Sequence, residues 1–180
     1  RVERYREAGQ ALLETVQDVC GAATPVEKTS YDDVYCDVTS VVLSGADSPP
    51  PTPRARAWTP DAGPQAEMIA TLPLEMRSAC ALAERLRGAI KQRVGLTASV
   101  GVARTKLVAR MLSPRAKPDG ILAVGDANVA AFMAVHDIRR LPGWQQKKGR
   151  DASTKLAAAL GLGCGGDGVA AIPVVTLGEA

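Results

Sequence analysis

Small and apolar side chains recur every three or four positions through the first twenty residues. They stand at Val2, Tyr5, Gly9, Leu12, Leu13, Val16 and Val19. This spacing predicts one amphipathic helix that ends near Gly21.

A second, longer helix is predicted in the middle of the chain. Thr71 would cap its start, Pro73 would lie in its first turn, and Gly95 would end it. Its buried stripe is predicted at Ala79, Leu82, Ala83, Leu86, Ala89 and Ile90.

Between these helices the period changes from helical to alternating. Residues 34–39 alternate apolar and polar side chains, which predicts a strand with two distinct faces. Residues 26–29 are its predicted hairpin partner, and residues 30–33 form the turn. By contrast, residues 44–64 are rich in proline, which predicts an exposed insertion without regular structure; a proline-rich peptide ligand is the less favoured alternative.

Shorter elements follow the second helix. Strands are predicted over 96–102 and 121–124, with a helix over 105–112 and a turn at 117–120 between them. Asp126 is the predicted cap of a further helix, and two short helices around a glycine turn are predicted over 138–162. This order of elements predicts an α+β fold with helices on one face of a sheet.

Composition narrows the possible functions. The chain of 180 residues is 46% hydrophobic and carries a net charge of +3, which permits a polyanionic partner without requiring one. Aromatic residues make up only 3%, so a broad base-stacking platform is not expected. No apolar run approaches the roughly 20 residues of a membrane span, and no targeting signal precedes the first helix. Because that helical pattern starts at once, we expect a piece of something longer.

The cysteine and histidine content argues against a zinc site. The four cysteines form no CxxC pair, and the chain has one histidine, His136. We therefore expect free thiols in a reducing compartment.

Three sets of residues carry candidate chemistry. Asp32 and Asp33 fall at the predicted hairpin turn, where two carboxylates can converge on a hard cation such as Mg²⁺; a solvated acidic turn is the alternative. A basic set near a strand-to-helix turn suits phosphate, although the charge pattern alone favours an ordinary solvated basic face. Its members are Arg104, Lys106, Arg110, Arg115 and Lys117.

The third set lies near the carboxyl end of the chain. A helical hairpin with a glycine turn can offer backbone N–H groups to a phosphodiester, and a plain helix-turn-helix packing unit is the alternative. The candidate contacts to DNA are Arg139, Arg140, Gly143, Lys147 and Lys148.

Three stretches, in order, resemble motifs of the Y-family (translesion) DNA polymerases. Residues 30–39, S-Y-D-D-V-Y-C-D-V-T, resemble that family's S-I-D-E-x-Y/F-x-D-L/V-T segment. Residues 97–110 are similar to its T-x-S-x-G-I/V-x-x-N-K-x-L/V-A-K segment, and residues 117–120 to its K-P-N/D-G turn. Residues 138–162 resemble its thumb helices. The opening helix and the insertion after Thr39 look most like the eukaryotic polymerase eta branch, which would imply a nuclear protein; a bacterial, cytoplasmic protein is the alternative.

The resemblance implies a fold and a mechanism. We expect a partial ferredoxin-like palm of βαββαβ type over 1–135, interrupted by the insertion at 44–64, and a helical thumb with a helix-hairpin-helix-like unit over 136–180. The implied reaction is template-directed DNA synthesis past damaged bases, with two Mg²⁺ ions in the complete enzyme. Asp32 and Asp33 match metal-binding catalytic carboxylates, and Lys117 matches a lysine that contacts the nucleotide triphosphate.

The implied partners are primer-template DNA and deoxynucleoside triphosphates, with a sliding clamp as a further partner through regions outside this chain. The family's first palm strand, with another metal-binding Asp, its fingers and its last DNA-gripping domain are expected outside the chain as well. We therefore expect the isolated fragment to be inactive.

The chain departs from the family pattern at several positions. Asp33 is one methylene shorter than the family's Glu, and Gln145 and Gln146 stand where a second thumb glycine is frequent. Thr105 replaces Asn and is predicted to serve equally as the cap of the following helix. These departures keep a second hypothesis open, that of a non-catalytic DNA-binding or scaffold fragment from the same family. A third, an unrelated α+β domain with fortuitous motifs, is disfavoured by three ordered matches.

Overall fold

The computed structural model describes residues 2–30, 32–44 and 52–136, together with 141–142, 147, 149, 151–152 and 155. Within the described residues between 2 and 134, there are eleven helices and strands and two short 3₁₀ turns, over 67–71 and 113–116. In chain order they are α1 (Val2–Cys20), β1 (Val26–Lys28), β2 (Val34–Cys36), α2 (Thr39–Ser44), β3 (Ala55–Thr59), β4 (Gly63–Gln65), α3 (Leu74–Val94), β5 (Val100–Val102), α4 (Lys106–Leu112), β6 (Ile121–Ala123) and α5 (Asp126–Ala134).

The strands form two separate sheets. β1 and β2 make an antiparallel hairpin in which Glu27 pairs with Tyr35. The other four strands form a mixed sheet in the order β4-β3-β6-β5, with β6 parallel to both its neighbours and β4 antiparallel to β3. Within the described residues, no strand ladder joins the two sheets.

The four-stranded sheet is covered on both faces. Ile121 and Ala123 pack with α3, whereas Leu122 and Val124 pack with α4 and α5, and all four are at most 1% exposed. A run of apolar residues that is buried on both sides is typical of a central parallel strand. The α+β class is therefore confirmed, with helices against both faces at β6 rather than against one.

The prediction of an unstructured insertion over 44–64 is wrong for its second half. β3 lies at the centre of the sheet, with Ala55 and Ala57 buried between β4 and β6. The prolines do not prevent this, because Pro53 and Pro60 flank β3 and Pro64 lies on the edge strand β4, where a missing N–H is tolerated.

The ends of the helices test several local predictions. Thr105 caps α4, its side chain accepting the N–H of Val108, and Gly95 ends α3 with a left-handed φ of 76°. The predicted caps Thr71 and Asp126 are wrong. Thr71 instead donates to the carbonyl of Met68 within a 3₁₀ turn, and Asp126 is the first residue of α5, after the cap Gly125.

The predicted hairpin is confirmed, but both of its strands are short. β2 ends at Cys36, although the Asp37 N–H still donates to the Pro25 carbonyl at 2.9 Å. The Asp37 carboxylate accepts the N–H and hydroxyl of Thr39, at 3.1 and 2.6 Å, where α2 begins. Cys20, Cys36 and Cys80 are free thiols, as expected, and burial raises the pKa of Cys80 to about 12.

Candidate functional site

The acidic pair lies on the exposed turn that links β1 to β2. Ser30 organises this turn: its hydroxyl donates to the Asp32 carboxylate at 2.6 Å and accepts the Asp33 N–H at 3.0 Å. The Asp33 carbonyl in turn accepts the N–H of Thr29 at 3.0 Å. Both carboxylates are exposed, so neither is a packing group.

Two cations of α4 lie against the hairpin. Arg110 donates to the Tyr35 hydroxyl at 3.3 Å, and its guanidinium lies 3.9 Å from the Asp33 carboxylate. Lys106 forms an ion pair with Glu27, and its ammonium lies 5.8 Å from the centroid of the Tyr35 ring. The hydrogen bond to Glu27 is the main reason that the pKa of Lys106 is raised.

A close contact between β5 and α4 fixes where these cations stand. A Cβ atom at Gly101 would collide with the Ala109 carbonyl and would lie only 2.9 Å from the Ser113 nitrogen. Ser113 also donates its hydroxyl to the Ser99 carbonyl at 3.1 Å. Glycine at position 101 thus permits the backbone approach that brings α4 beside the hairpin.

Lys117 opens the turn between α4 and β6, and a buried arginine holds this turn in place. Arg87 of α3, only 4% exposed, donates to the Asp119 carbonyl at 2.6 Å and to the Ala98 carbonyl at 2.8 Å. It also forms ion pairs with the carboxylates of Asp119 and Glu84. Arg87, followed by Arg54, holds the pKa of Asp119 below its usual range.

These elements enclose a wide groove of about 1440 Å³. Asp32, Asp33 and Lys117 all line it, together with residues of β2, β5 and α4. Residues far apart in sequence, an acidic turn and a candidate phosphate-binding cation, are thus brought to one cleft. One triphosphate would have to contact both the metal site and the lysine, so we predict that Asp32 and Lys117 lie about 10 Å apart.

The donor chemistry suits a hard cation only in part. Two exposed carboxylates are oxygen ligands of the type that Mg²⁺ prefers, but Asp33 already lies beside Arg110. Across the described ranges, no three His, Cys, Asp or Glu side chains gather closely enough to form a metal site. Asp32 and Asp33 could therefore contribute to a divalent metal site, but ligands from elsewhere would have to complete it.

The remaining basic candidates have various partners. Arg104 forms ion pairs with Glu75 and Asp126, and Arg115 lies over the ring of Phe132. All five members of the basic set are exposed, and four of them, all but Lys117, have a side-chain contact given above.

Little of the predicted DNA-contacting segment can be placed. Lys147 is exposed and helical. The other candidates, Arg139, Arg140, Gly143 and Lys148, lie outside the described residues, as do Gln145 and Gln146. The predicted helix-hairpin-helix unit also falls largely outside the described residues. Within the part of the chain that is described, no helix is both long and apolar enough to cross a membrane.

Sequence analysis missed Tyr35, Glu27 and Arg87 as parts of this region. Arg87 had a signal, because it falls four residues after Ala83 and three before Ile90, on the predicted buried stripe of α3. An arginine there indicates a buried charge that needs partners. Glu27 and Tyr35 carried no comparable local signal, since their partners lie on α4.

Comparison with known proteins places the chain in a family. The profile of the impB/mucB/samB family matches residues 1–114, so the chain belongs to this family of Y-family DNA polymerases. It is 31% identical over 143 residues to the DNA polymerase IV of Halorhodospira halophila, covering 79% of this chain and 31% of that protein. For the DNA polymerase IV of Ralstonia nicotianae, the identity is 30% over 142 residues, covering 79% of this chain and 30% of that protein.

An archaeal relative matches more closely over a shorter stretch. The DNA polymerase IV of Methanoculleus marisnigri is 42% identical over 74 residues, which cover 41% of this chain and 21% of that protein. The chain thus spans about a third or less of these relatives. They are bacterial and archaeal, and they give no support to the expected eukaryotic eta branch or to a nuclear location.

Proposed function

We propose that this chain forms part of the palm and thumb of a polymerase that copies DNA past damaged bases. The observation that carries the proposal is that Asp32, Asp33 and Lys117 line one groove in a member of the Y-family. We keep 1–135 as the palm portion and 136–180 as the thumb portion. Since its relatives are bacterial and archaeal, we propose a prokaryotic cytoplasmic protein.

Each of the three residues has a distinct proposed role. Asp32 would bind two Mg²⁺ ions and Asp33 would bind the one nearer the primer end, both through carboxylate oxygens that are already exposed. When bound, such ions lower the pKa of the primer 3′-hydroxyl and offset the charge of the triphosphate. Lys117 would contact the triphosphate and stabilise the negative charge that develops on the leaving pyrophosphate.

The direct test is primer extension with the longest open reading frame that contains this chain. Asp32→Asn should lower nucleotide incorporation by more than the roughly 10–100-fold that loss of an outer partner causes at metal sites. Asp61→Asn is the matched control, because Asp61 is an exposed carboxylate in the turn between β3 and β4. Equal activity of the two variants would refute the metal-binding role of Asp32.

A second measurement isolates Lys117. Lys117→Ala should raise the KM for the incoming nucleotide by roughly tenfold, the effect of losing one charge-assisted hydrogen bond, while the Kd for primer-template DNA stays unchanged. Lys91→Ala, at an exposed lysine of α3, is the control. Equal losses of nucleotide and DNA affinity would instead favour a generic basic surface.

The isolated chain provides a third arm. Residues 1–180 alone should not extend a primer, because two-metal chemistry needs ligands beyond the adjacent pair. Robust templated extension by 1–180 would contradict the palm assignment. If the longer protein binds DNA but never incorporates nucleotide, the non-catalytic alternative is favoured.

A further inference from the structure

The acidic hairpin is attached to the rest of the molecule in two different ways. On one side, Val26, Val34 and Cys36 join an apolar cluster with α1 and α3. On the other side, polar contacts from Lys106 and Arg110 tie it to α4. Apolar packing fixes the distance of the hairpin from the helices, but only directional polar contacts can orient the turn.

Arg110 contacts both the acidic turn and the strand that follows it. Asp33 and Tyr35 are two residues apart on one extended segment, so their side chains project to the same side. The guanidinium of Arg110 donates a hydrogen bond to the Tyr35 hydroxyl at 3.3 Å and lies 3.9 Å from the Asp33 carboxylate, which is an ion-pair distance. A planar group with several donors can contact both side chains at once.

The support for Arg110 is itself rigid. Its helix is capped by Thr105 and lies directly against β5 at Gly101, where the backbones approach too closely for any side chain. Arg110 is followed within α4 by Leu112, which is fully buried. The backbone that carries Arg110 is therefore held against the four-stranded sheet, and its side chain lines the groove.

The lengths of the two side chains are matched. In the motifs that this chain resembles, the positions of Asp33 and Arg110 hold Glu and Lys. Here the acid is one methylene shorter, and the base has a longer reach and a wider donor fork. The combined length of the two side chains is therefore about the same as that of the Glu and Lys in the motif, but the carboxylate lies closer to its own backbone.

We propose that Arg110 is a positioning residue that sets the location of the Asp33 carboxylate, directly and through the Tyr35 hydroxyl. The longer arginine compensates for the shorter aspartate, so that this carboxylate is presented to the groove in a fixed orientation. The proposal rests on the proposed function of Asp33 as a metal-binding residue.

A double-mutant cycle that exchanges the side-chain lengths at positions 33 and 110 tests this proposal, in the protein encoded by the longest open reading frame that contains this chain. Arg110→Lys and Asp33→Glu should each lower kcat by roughly tenfold, with the nucleotide KM changed less than about twofold, because an orienting contact is lost rather than nucleotide binding. The double variant Asp33→Glu/Arg110→Lys should recover to within about threefold of the original kcat, a strongly non-additive result.

A pair elsewhere on the surface provides the matched control. Arg93 and Asp18 form an Arg–Asp ion pair at 2.6 Å between α3 and α1, away from the groove. Asp18→Glu, Arg93→Lys and their double variant should leave kcat unchanged. If the groove cycle is additive, or if neither single change lowers kcat, the positioning role is refuted.

A binding measurement separates this inference from the proposed function. The backbone amide resonance of residue 33 is followed by NMR during a Mg²⁺ titration. The Mg²⁺ concentration at the midpoint of its shift should rise severalfold in Arg110→Lys and return to the original value in the double variant. If Asp32→Asn leaves incorporation intact, the proposed function fails. If Asp32→Asn abolishes incorporation but Arg110→Lys leaves the midpoint of the Mg²⁺ titration unchanged, only the positioning role fails.

Discussion

The two sheets of this protein are built on opposite principles. The four-stranded sheet has a central strand, β6, whose residues are at most 1% exposed and which is covered by helices on both faces. Neither β1 nor β2 contains a buried residue, and the hairpin that they form owes part of its attachment to side chains of α4. The larger sheet can therefore provide most of the stability of the fold. The hairpin, which is less buried, leaves its carboxylates exposed.

This difference has a functional logic. A carboxylate that takes up a cation from solvent has to be reachable by it, and both Asp32 and Asp33 are exposed. The hairpin receives its orientation from Lys106 and Arg110, which are anchored to the larger sheet through α4. Changes to the sheet should alter folding, and changes to the α4 contacts should alter the site.

The largest expected effect comes from disrupting the contact that joins β5 to α4. Gly101→Ala should lower the free energy of unfolding by about 2–3 kcal/mol, because its Cβ would collide with backbone atoms that cannot rotate away. The measurement is urea denaturation followed by circular dichroism. Gly88→Ala is the control: it is exposed within α3 with open space around its Cβ, and it should stabilise by about 0.5–1 kcal/mol. Similar effects of the two changes would show that the close contact is not a constraint.

A smaller loss of stability is expected at the Lys117 turn. Arg87→Met should lower the free energy of unfolding by about 2 kcal/mol, because the Ala98 and Asp119 carbonyls lose this donor and the Asp119 carboxylate keeps only Arg54. Arg85→Met, at an exposed arginine of the same helix, should change it by less than about 0.5 kcal/mol. Amide exchange over 117–120 should accelerate only in the first variant; unchanged exchange there would argue against Arg87 as the support of this turn.

The smallest effect should appear in the pH dependence of stability. Burial, opposed by a hydrogen bond to the Phe132 carbonyl and reinforced by Arg115, lowers the pKa of His136. Below about pH 6.5 the unfolded chain then binds a proton more readily than the folded chain, so stability falls as the pH drops from 6.5 and levels off below the folded pKa.

His136 is the single histidine of the chain. Its ring packs against the Phe132 ring beside the larger sheet, with 4.4 Å between the ring centroids. His136→Gln should therefore flatten the dependence of the denaturation midpoint on pH between 5 and 7. A slope that survives the substitution would mean that another group titrates in this range.

Local sequence signals determined much of this protein before any tertiary contact is considered. The hairpin, the two long helices, the left-handed end of α3 at Gly95 and the cap at Thr105 all follow from side chains within a few residues of one another. The apolar run at 121–124 likewise marked a strand. Local patterns and the family resemblance together selected the acidic turn and Lys117; all three residues line one groove, and their roles are predictions.

Tertiary structure decided the rest. β3 is a strand because Ala55 and Ala57 pair with Ile121 and Ala123, more than sixty residues away, so its prolines and small residues suggested a loop when taken alone. Thr71 had the chemistry of a cap, but a 3₁₀ turn moved the start of α3 to Leu74. The contacts of Arg110 depend on how closely α4 approaches β5, and that approach is a property of the packed backbone rather than of any local run of residues.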